Sequence, residues 1–173
     1  MADEKEMLTL VDSQDNAIGT ATREECHAGN GKLHRAFGIF LFNSKNQLFI
    51  QKRSENKKLW PGHWDISVAS HVRPDETYET AAKRRLKEEL GVEVSDLKKE
   101  FTLKYFAKHK DGRGSENEMC AILSCRFDGK INPNTYEISE SKFVDLDELK
   151  ESIKGDVEKF TPWLKIALNK FNK

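Results

Sequence analysis

Cysteine is scarce in this sequence. Three occur among 173 residues, Cys26, Cys120 and Cys125. Their odd number and the absence of a C-x-x-C spacing exclude a disulfide framework and a cysteine-built zinc site. Reduced thiols in a cytoplasmic protein are the expectation. Proline is scarce as well, with four residues, and no linker-like or low-complexity stretch interrupts the chain. Charge of one sign is missing: 29 Lys plus Arg balance 29 Asp plus Glu, so no overall field draws in nucleic acid or an anionic membrane. No apolar run approaches the roughly 18 residues needed to span a bilayer. The opening "MADEKEMLTL" lacks the apolar centre of a secretion signal. We therefore expect one domain over residues 1–173, acting on a small molecule as a monomer or homodimer, without nucleic-acid or membrane partners.

The runs that are present read as α+β. "MLTLVDS" and "AIGTATR" form two strands around a polar turn, and "HRAFGIFLFN" with "QLFIQKR" forms a hairpin across "SKN". A Pro-Gly loop, "NKKLWPGHW", leads into one strand, "DISVASHV". The stretch from Asp75 to Leu90 is helical, with Asp75 as N-cap, Tyr78, Ala82, Leu86 and Leu90 on the buried face, and Gly91 as the stop. "FTLKYFAK" and "EMCAILSCRF" are two more strands. "DLDELKESI" and "FTPWLKIALNKF" close the chain as helices, the second opened by Thr161 and Pro162. Several strands, one central helix and closing helices make an α+β domain or an α-β-α sandwich.

Metal chemistry is the first to suggest itself. Of five histidines, His27 and His34 flank the glycine-bearing loop "HAGNGKLH", and His71 ends the strand before the central helix. Glu116 and Glu118 are two apart on a strand and share a face. Three imidazoles and two carboxylates suit Mn²⁺, Fe²⁺ or Zn²⁺, although a single histidine or a strand Glu pair is ordinarily just solvated. Glu88 and Glu89 sit near the helix C-terminus, against the dipole. They could hold Mg²⁺ or simply pair with Arg84 and Arg85 one turn earlier. Arg53, Lys57 and Arg85 could grip a diphosphate bridged by Mg²⁺. Trp60 and Trp64 are equally suited to a pocket wall and to core packing.

"SHVRPDETYETAAKRRLKEELGV" resembles the Nudix box, G-x5-E-x7-R-E-U-x-E-E-x-G-U. Glu76, Arg84, Leu86, Glu88, Glu89, Gly91 and Val92 fall in place, Ser70 replaces the first glycine, and Arg85 replaces the first glutamate of the R-E pair. From about Leu8 to Phe171 the chain resembles the type I isopentenyl-diphosphate isomerase family. The resemblance rests on "LHRAFGIFLFNSKNQLFIQKRS", "KKLWPGHW", "RRLKEELGV", "ENE" and "FTPW". It implies a Nudix fold with a mixed sheet, central Nudix helix and C-terminal helices. It implies a bound divalent ion on His27, His34, His71, Glu116 and Glu118, and Mg²⁺ held by Glu89 with the substrate diphosphate. Arg23, Arg53, Lys57 and Arg85 would contact that diphosphate, and Trp64 would face the hydrocarbon, where its ring can stabilise a carbocation. Glu118, assisted by Tyr105, would move one proton.

The family's second proton carrier is a cysteine two residues before the third histidine. That position is Ala69, whose methyl group carries no proton, and neither Cys26 nor Cys120 obviously replaces it. Diphosphate hydrolysis on an isomerase-like scaffold therefore ranks first, with Glu88 and Glu89 positioning metal and water. Isomerisation of isopentenyl diphosphate is a near second, and diphosphate binding without catalysis is third.

Overall fold

The computed structural model describes residues 4–171. Its spine is β3 (His34–Phe42), whose nearly unbroken apolar run is buried on both faces, as a central strand requires. β3 pairs antiparallel with β1 (Met7–Val11) and β6 (Val68–His71), and parallel with β8 (Ser115–Arg126). β2 (Ala17–Thr22) extends the sheet beyond β1, and β7 (Lys98–Lys108) beyond β8. The expected hairpin partner, β4 (Leu48–Arg53), meets β3 only at Phe42 and Leu48. It then turns to β5 (Trp64–Asp65) and β9 (Ile138–Val144).

Alternating residues of β3 supply two cores. Phe40 and Phe42 pack with Trp163, Leu164 and Leu168 of the closing helix. Phe37, Ile39 and Leu41 pack with Ala81, Ala82, Leu86 and Leu90 of the central helix. Helices thus cover both faces of a mixed sheet, an α-β-α sandwich. Leu86 and Leu90 are fully buried, each stabilising the fold by about 1.5–3 kcal/mol.

The short helix α1 spans Arg23–His27, and the central helix α2 spans Tyr78–Leu90. α3 (Leu146–Gly155) and α4 (Pro162–Lys170) lie where the closing helices were expected. α2 begins later than the Asp75 cap implied, because Thr77 is the N-cap and exchanges hydrogen bonds with Thr80. Glu76 is drawn away from the helix start by Arg84, at 2.5 and 2.9 Å. Gly91 stops the helix in the left-handed region at φ +66°.

"DISVASHV" is two strands rather than one. The chain leaves β4 after Asp65 and joins β3 at Val68. At the crossing the Ser67 hydroxyl donates to the Phe49 carbonyl and accepts from Leu41 N–H. Besides a three-residue 3-10 turn at Val157–Lys159, two elements went unanticipated. One is α1, although Thr22 and Glu25 carry a capping-box spacing that marks it. The other is β9, a charged strand steadied against β4 by Lys52 and Glu140 at 2.7 Å.

Candidate metal centre and active site

Helix and strand ends carry five side chains to one point. His27 is the last residue of α1, whose start is held by the Thr22–Glu25 capping box. The turn after it passes Gly31 at φ +67°, where a Cβ would lie 2.7 Å from the Cys26 carbonyl oxygen; only glycine allows that approach. His34 opens β3 directly opposite Glu118, and His71 closes β6 opposite Ala36. Glu116 and Glu118 share a face of β8. All five residues are buried, and one ligand atom from each lies within 4.8 Å of all the others.

Backbone carbonyls orient two of the rings. His27 Nδ1–H donates to the Arg23 carbonyl at 2.8 Å, and His34 Nδ1–H donates to the Lys32 carbonyl at 2.7 Å. Both Nε2 lone pairs therefore face the centre. His34 Nε2 and Glu116 Oε2 are buried and make no hydrogen bond, while Glu116 Oε2 stands only 2.9 Å from His27 Nε2. Acceptor atoms gathered in this way fit a cation. His71 differs: Arg23 Nη2, which can only donate, reaches its Nδ1 at 2.9 Å, and its Nε2 faces Glu118 Oε1 at 3.1 Å. With Arg23 on its Nδ1, His71 must give up an inward proton before it can ligate.

The electrostatics of the cluster are polarised. Burial and the charge of His27 push His34 down to about 4. Burial, Arg23 and the other two histidines push His71 well below its usual range. Glu116 is held at about 2: burial opposes this, but His27 outweighs it. Burial and the neighbouring charge of Glu116 raise Glu118 far above the carboxylate range. The Tyr105 hydroxyl donates to Glu118 in a short hydrogen bond. The carboxyl group best suited to carrying a proton is thus Glu118.

A cavity of about 320 Å³ opens over this cluster. Its lining joins Glu116, Glu118 and His27 of the cluster to an uncharged set, Ala69, Tyr105, Cys120 and Trp163, and to four cations, Arg23, Arg53, Lys57 and Lys58. Each of these cations already has a carboxylate: Arg23 meets Glu6 at 3.1 Å, Arg53 meets Asp65 at 3.0 Å, Lys58 meets Glu4 at 3.0 Å, and Lys57 pairs with Glu137. Cys120 lies two residues after Glu118 on the same face of β8, so it shares Glu118's side of the cavity.

The NUDIX domain family matches residues 32–164. The chain belongs to the Nudix family. It is 38% identical to isopentenyl-diphosphate Delta-isomerase 1 of Photorhabdus laumondii, across 97% of this chain and 98% of that protein. It is also 38% identical to the protein of that name from Mesocricetus auratus, across 96% and 82%. Isopentenyl-diphosphate Delta-isomerase of Klebsiella pneumoniae is 36% identical, across 92% and 86%. Among solved structures, DR0079 from Deinococcus radiodurans superposes with a TM-score of 0.81 at 25% identity, covering 97% of this chain and all of that one. A MutT protein from Methanosarcina mazei shares the fold, with a TM-score of 0.64 at 19% identity, covering 80% and 91%.

The Nudix helix departs from a simple carboxylate cage. Arg85 reaches Glu88 at 2.9 Å and Glu89 at 2.6 Å, so a guanidinium occupies the space between the two acids. Glu88 is substantially exposed and also meets Arg84 at 3.3 Å. Glu89 is buried. Arg85 stands behind the cavity wall, 3.6 Å from Glu137.

Trp64 is not among the residues lining the cavity, contrary to its expected place against the hydrocarbon. Its partly buried ring packs against the same core as Trp60 and Trp163, with the Lys142 ammonium 5.0 Å from it, while the neighbouring Asp65 is fully buried. Trp163, in the first turn of α4, forms the aromatic wall instead. Sequence reading also passed over Asp65 and Glu137, whose only signal was a lone carboxylate. No helix among the described residues is long and apolar enough to cross a membrane.

Proposed function

We propose that this protein is a divalent-metal-dependent isomerase of a short prenyl diphosphate, converting isopentenyl to dimethylallyl diphosphate. The observation that carries this reading is the Tyr105 hydroxyl donating to Glu118, one of five clustered His and Glu side chains, beside a cavity that is also lined by Arg23, Arg53, Lys57 and Lys58. Arg23 and Lys57 would exchange their carboxylates for the diphosphate, Arg53 would offer it the two N–H groups that its own partners leave free, and Arg85 would follow by turning from Glu89. Glu89 would then be free to hold the Mg²⁺ that accompanies a diphosphate. Mn²⁺, Zn²⁺ or Fe²⁺ suits the His/Glu set, where such an ion would supply fixed positive charge at the base of the cavity. Glu118 delivers a proton to the terminal carbon of the double bond, Tyr105 orients that proton, and the π-faces of Trp163 and Tyr105 stabilise the tertiary cation that results. Loss of a proton from the neighbouring carbon completes the shift. Ala69 offers no base on its wall, so solvent takes that proton and the reaction is slow.

The nearly full-length likeness to isomerases and the Arg85 bridge between Glu88 and Glu89 both favour this reading over the hydrolysis ranked first from sequence. Ala69 keeps hydrolysis of the diphosphate as the second reading. Isopentenyl diphosphate incubated in D₂O with Mg²⁺ and Mn²⁺ separates them. Deuterated dimethylallyl diphosphate supports isomerisation. Release of phosphate without deuterium uptake refutes it in favour of hydrolysis.

A further inference from the structure

Asp65 is fully buried, and its carboxylate collects four donors from three parts of the chain. Trp163 Nε1–H donates to Oδ1 at 2.6 Å, the Thr161 hydroxyl at 2.9 Å and Ile66 N–H at 2.7 Å. Arg53 Nη1 donates to Oδ2 at 3.0 Å. Two of these partners, Arg53 and Trp163, line the cavity. They also touch each other, with the guanidinium carbon 5.3 Å from the centre of the Trp163 ring.

The connections do more than fill a core. Arg53 Nε and Nη2 are held from behind by the Leu59 and Trp60 carbonyls. With Nη1 on Asp65, three of the five guanidinium N–H groups are spent, and two remain for phosphate oxygens. Thr161 is the N-cap of α4, yet its hydroxyl caps no helix amide and goes to Asp65 instead. The helix gives up a side-chain cap to complete the carboxylate shell. A carboxylate on the indole N–H also pushes electron density into the ring, making its face a better partner for positive charge.

We propose that Asp65 is a positioning residue that sets two adjoining groups of the substrate site at once, aiming Arg53 at the diphosphate and fixing and polarising Trp163 at the hydrocarbon. This rests on the isomerase reading for the role of Trp163, while the Arg53 half requires only that a diphosphate binds. Asp65→Asn tests it, because an amide N–H replaces the acceptor that Arg53 uses or the one that Trp163 uses. The full chain is titrated calorimetrically with inorganic diphosphate and Mg²⁺, and the Trp163 indole N–H is followed by NMR, assigned with Trp163→Phe. Asp65→Asn should weaken diphosphate about tenfold and move the indole proton upfield. Added to Arg53→Ala, it should cost nothing further in diphosphate affinity, because it acts through Arg53.

Unchanged affinity with an unmoved indole resonance overturns the proposal, as does a full additive loss in the double variant. If Asp65→Asn does not fold, Thr161→Val removes one competitor for Oδ1 and should shift the indole proton further downfield; an unmoved resonance again overturns it. Wild-type protein that binds no inorganic diphosphate would refute the substrate reading, and the indole resonance would still decide the role of Asp65.

Discussion

Ala69→Cys is the most informative single change. Ala69 lies two residues before His71 on β6, so their side chains share a face, and it lines the cavity across β3 from the strand that carries Glu118. A thiol there would stand across β3 from Glu118, on the other flanking strand, where isomerisation needs a second proton carrier. The change adds one sulfur beside a cavity of about 320 Å³, so it should alter stability by less than about 1 kcal/mol. A positioned acid/base group contributes about 10²- to 10⁴-fold in rate, or roughly 3–5 kcal/mol of barrier. We expect Ala69→Cys to raise kcat for dimethylallyl diphosphate formation in D₂O by at least about 10²-fold. KM should stay nearly constant, since the diphosphate contacts are untouched. A folded variant that still binds inorganic diphosphate yet shows no faster deuterium uptake would refute the placement of the second proton carrier on β6.

Other consequences are sharp enough to measure. Glu118→Gln should reduce deuterium incorporation by about 10³-fold or more, and Tyr105→Phe by about 10- to 100-fold, with diphosphate binding retained in both. Trp163→Phe should lower kcat several-fold while Trp64→Phe leaves it unchanged; the reverse order would reinstate Trp64 as the hydrocarbon wall. Saturating Mn²⁺ at about 100 times its Kd should stabilise the metal-stripped protein by about 2.7 kcal/mol in urea melts, and His71→Ala should remove most of that gain. For the metal-free protein, the depressed His34 means that the unfolded chain binds a proton first as pH falls. Its contribution is full above about pH 6.5 and is lost on the way down to about pH 4. His27, raised by Glu116 against the effect of burial, works in the opposite direction. The His34 part is therefore read as the difference between wild type and His34→Gln in urea midpoints at pH 7 and pH 5. Equal losses in both proteins would contradict it.

Much was legible in the residues themselves. The apolar run of β3, the four-residue spacing of Ala82, Leu86 and Leu90, and the stop at Gly91 are local patterns. Local physics writes them: backbone period, burial of one face, and the left-handed conformation that glycine tolerates. The clustering of His27, His34, His71, Glu116 and Glu118 was legible for a related reason. Five imidazoles in 173 residues are few enough that their positions at the edges of loops and strands carry information.

Tertiary structure decided what distance along the chain conceals. Asp65 and Trp163 are 98 residues apart, and only the pairing of β5 with β4 and the docking of α4 bring the indole onto the carboxylate. Trp64 lies beside Lys142 because β5 and β9 both pair with β4, which only the folded sheet decides. Glu137, an ordinary acid in sequence, takes its meaning from Lys57 and Arg85, which the fold sets on either side of it. Charge balance is the clearest case. Composition places 29 cations against 29 anions, but only the folded chain seats a carboxylate on each cation of the cavity, so that an incoming diphosphate must displace charge as well as water.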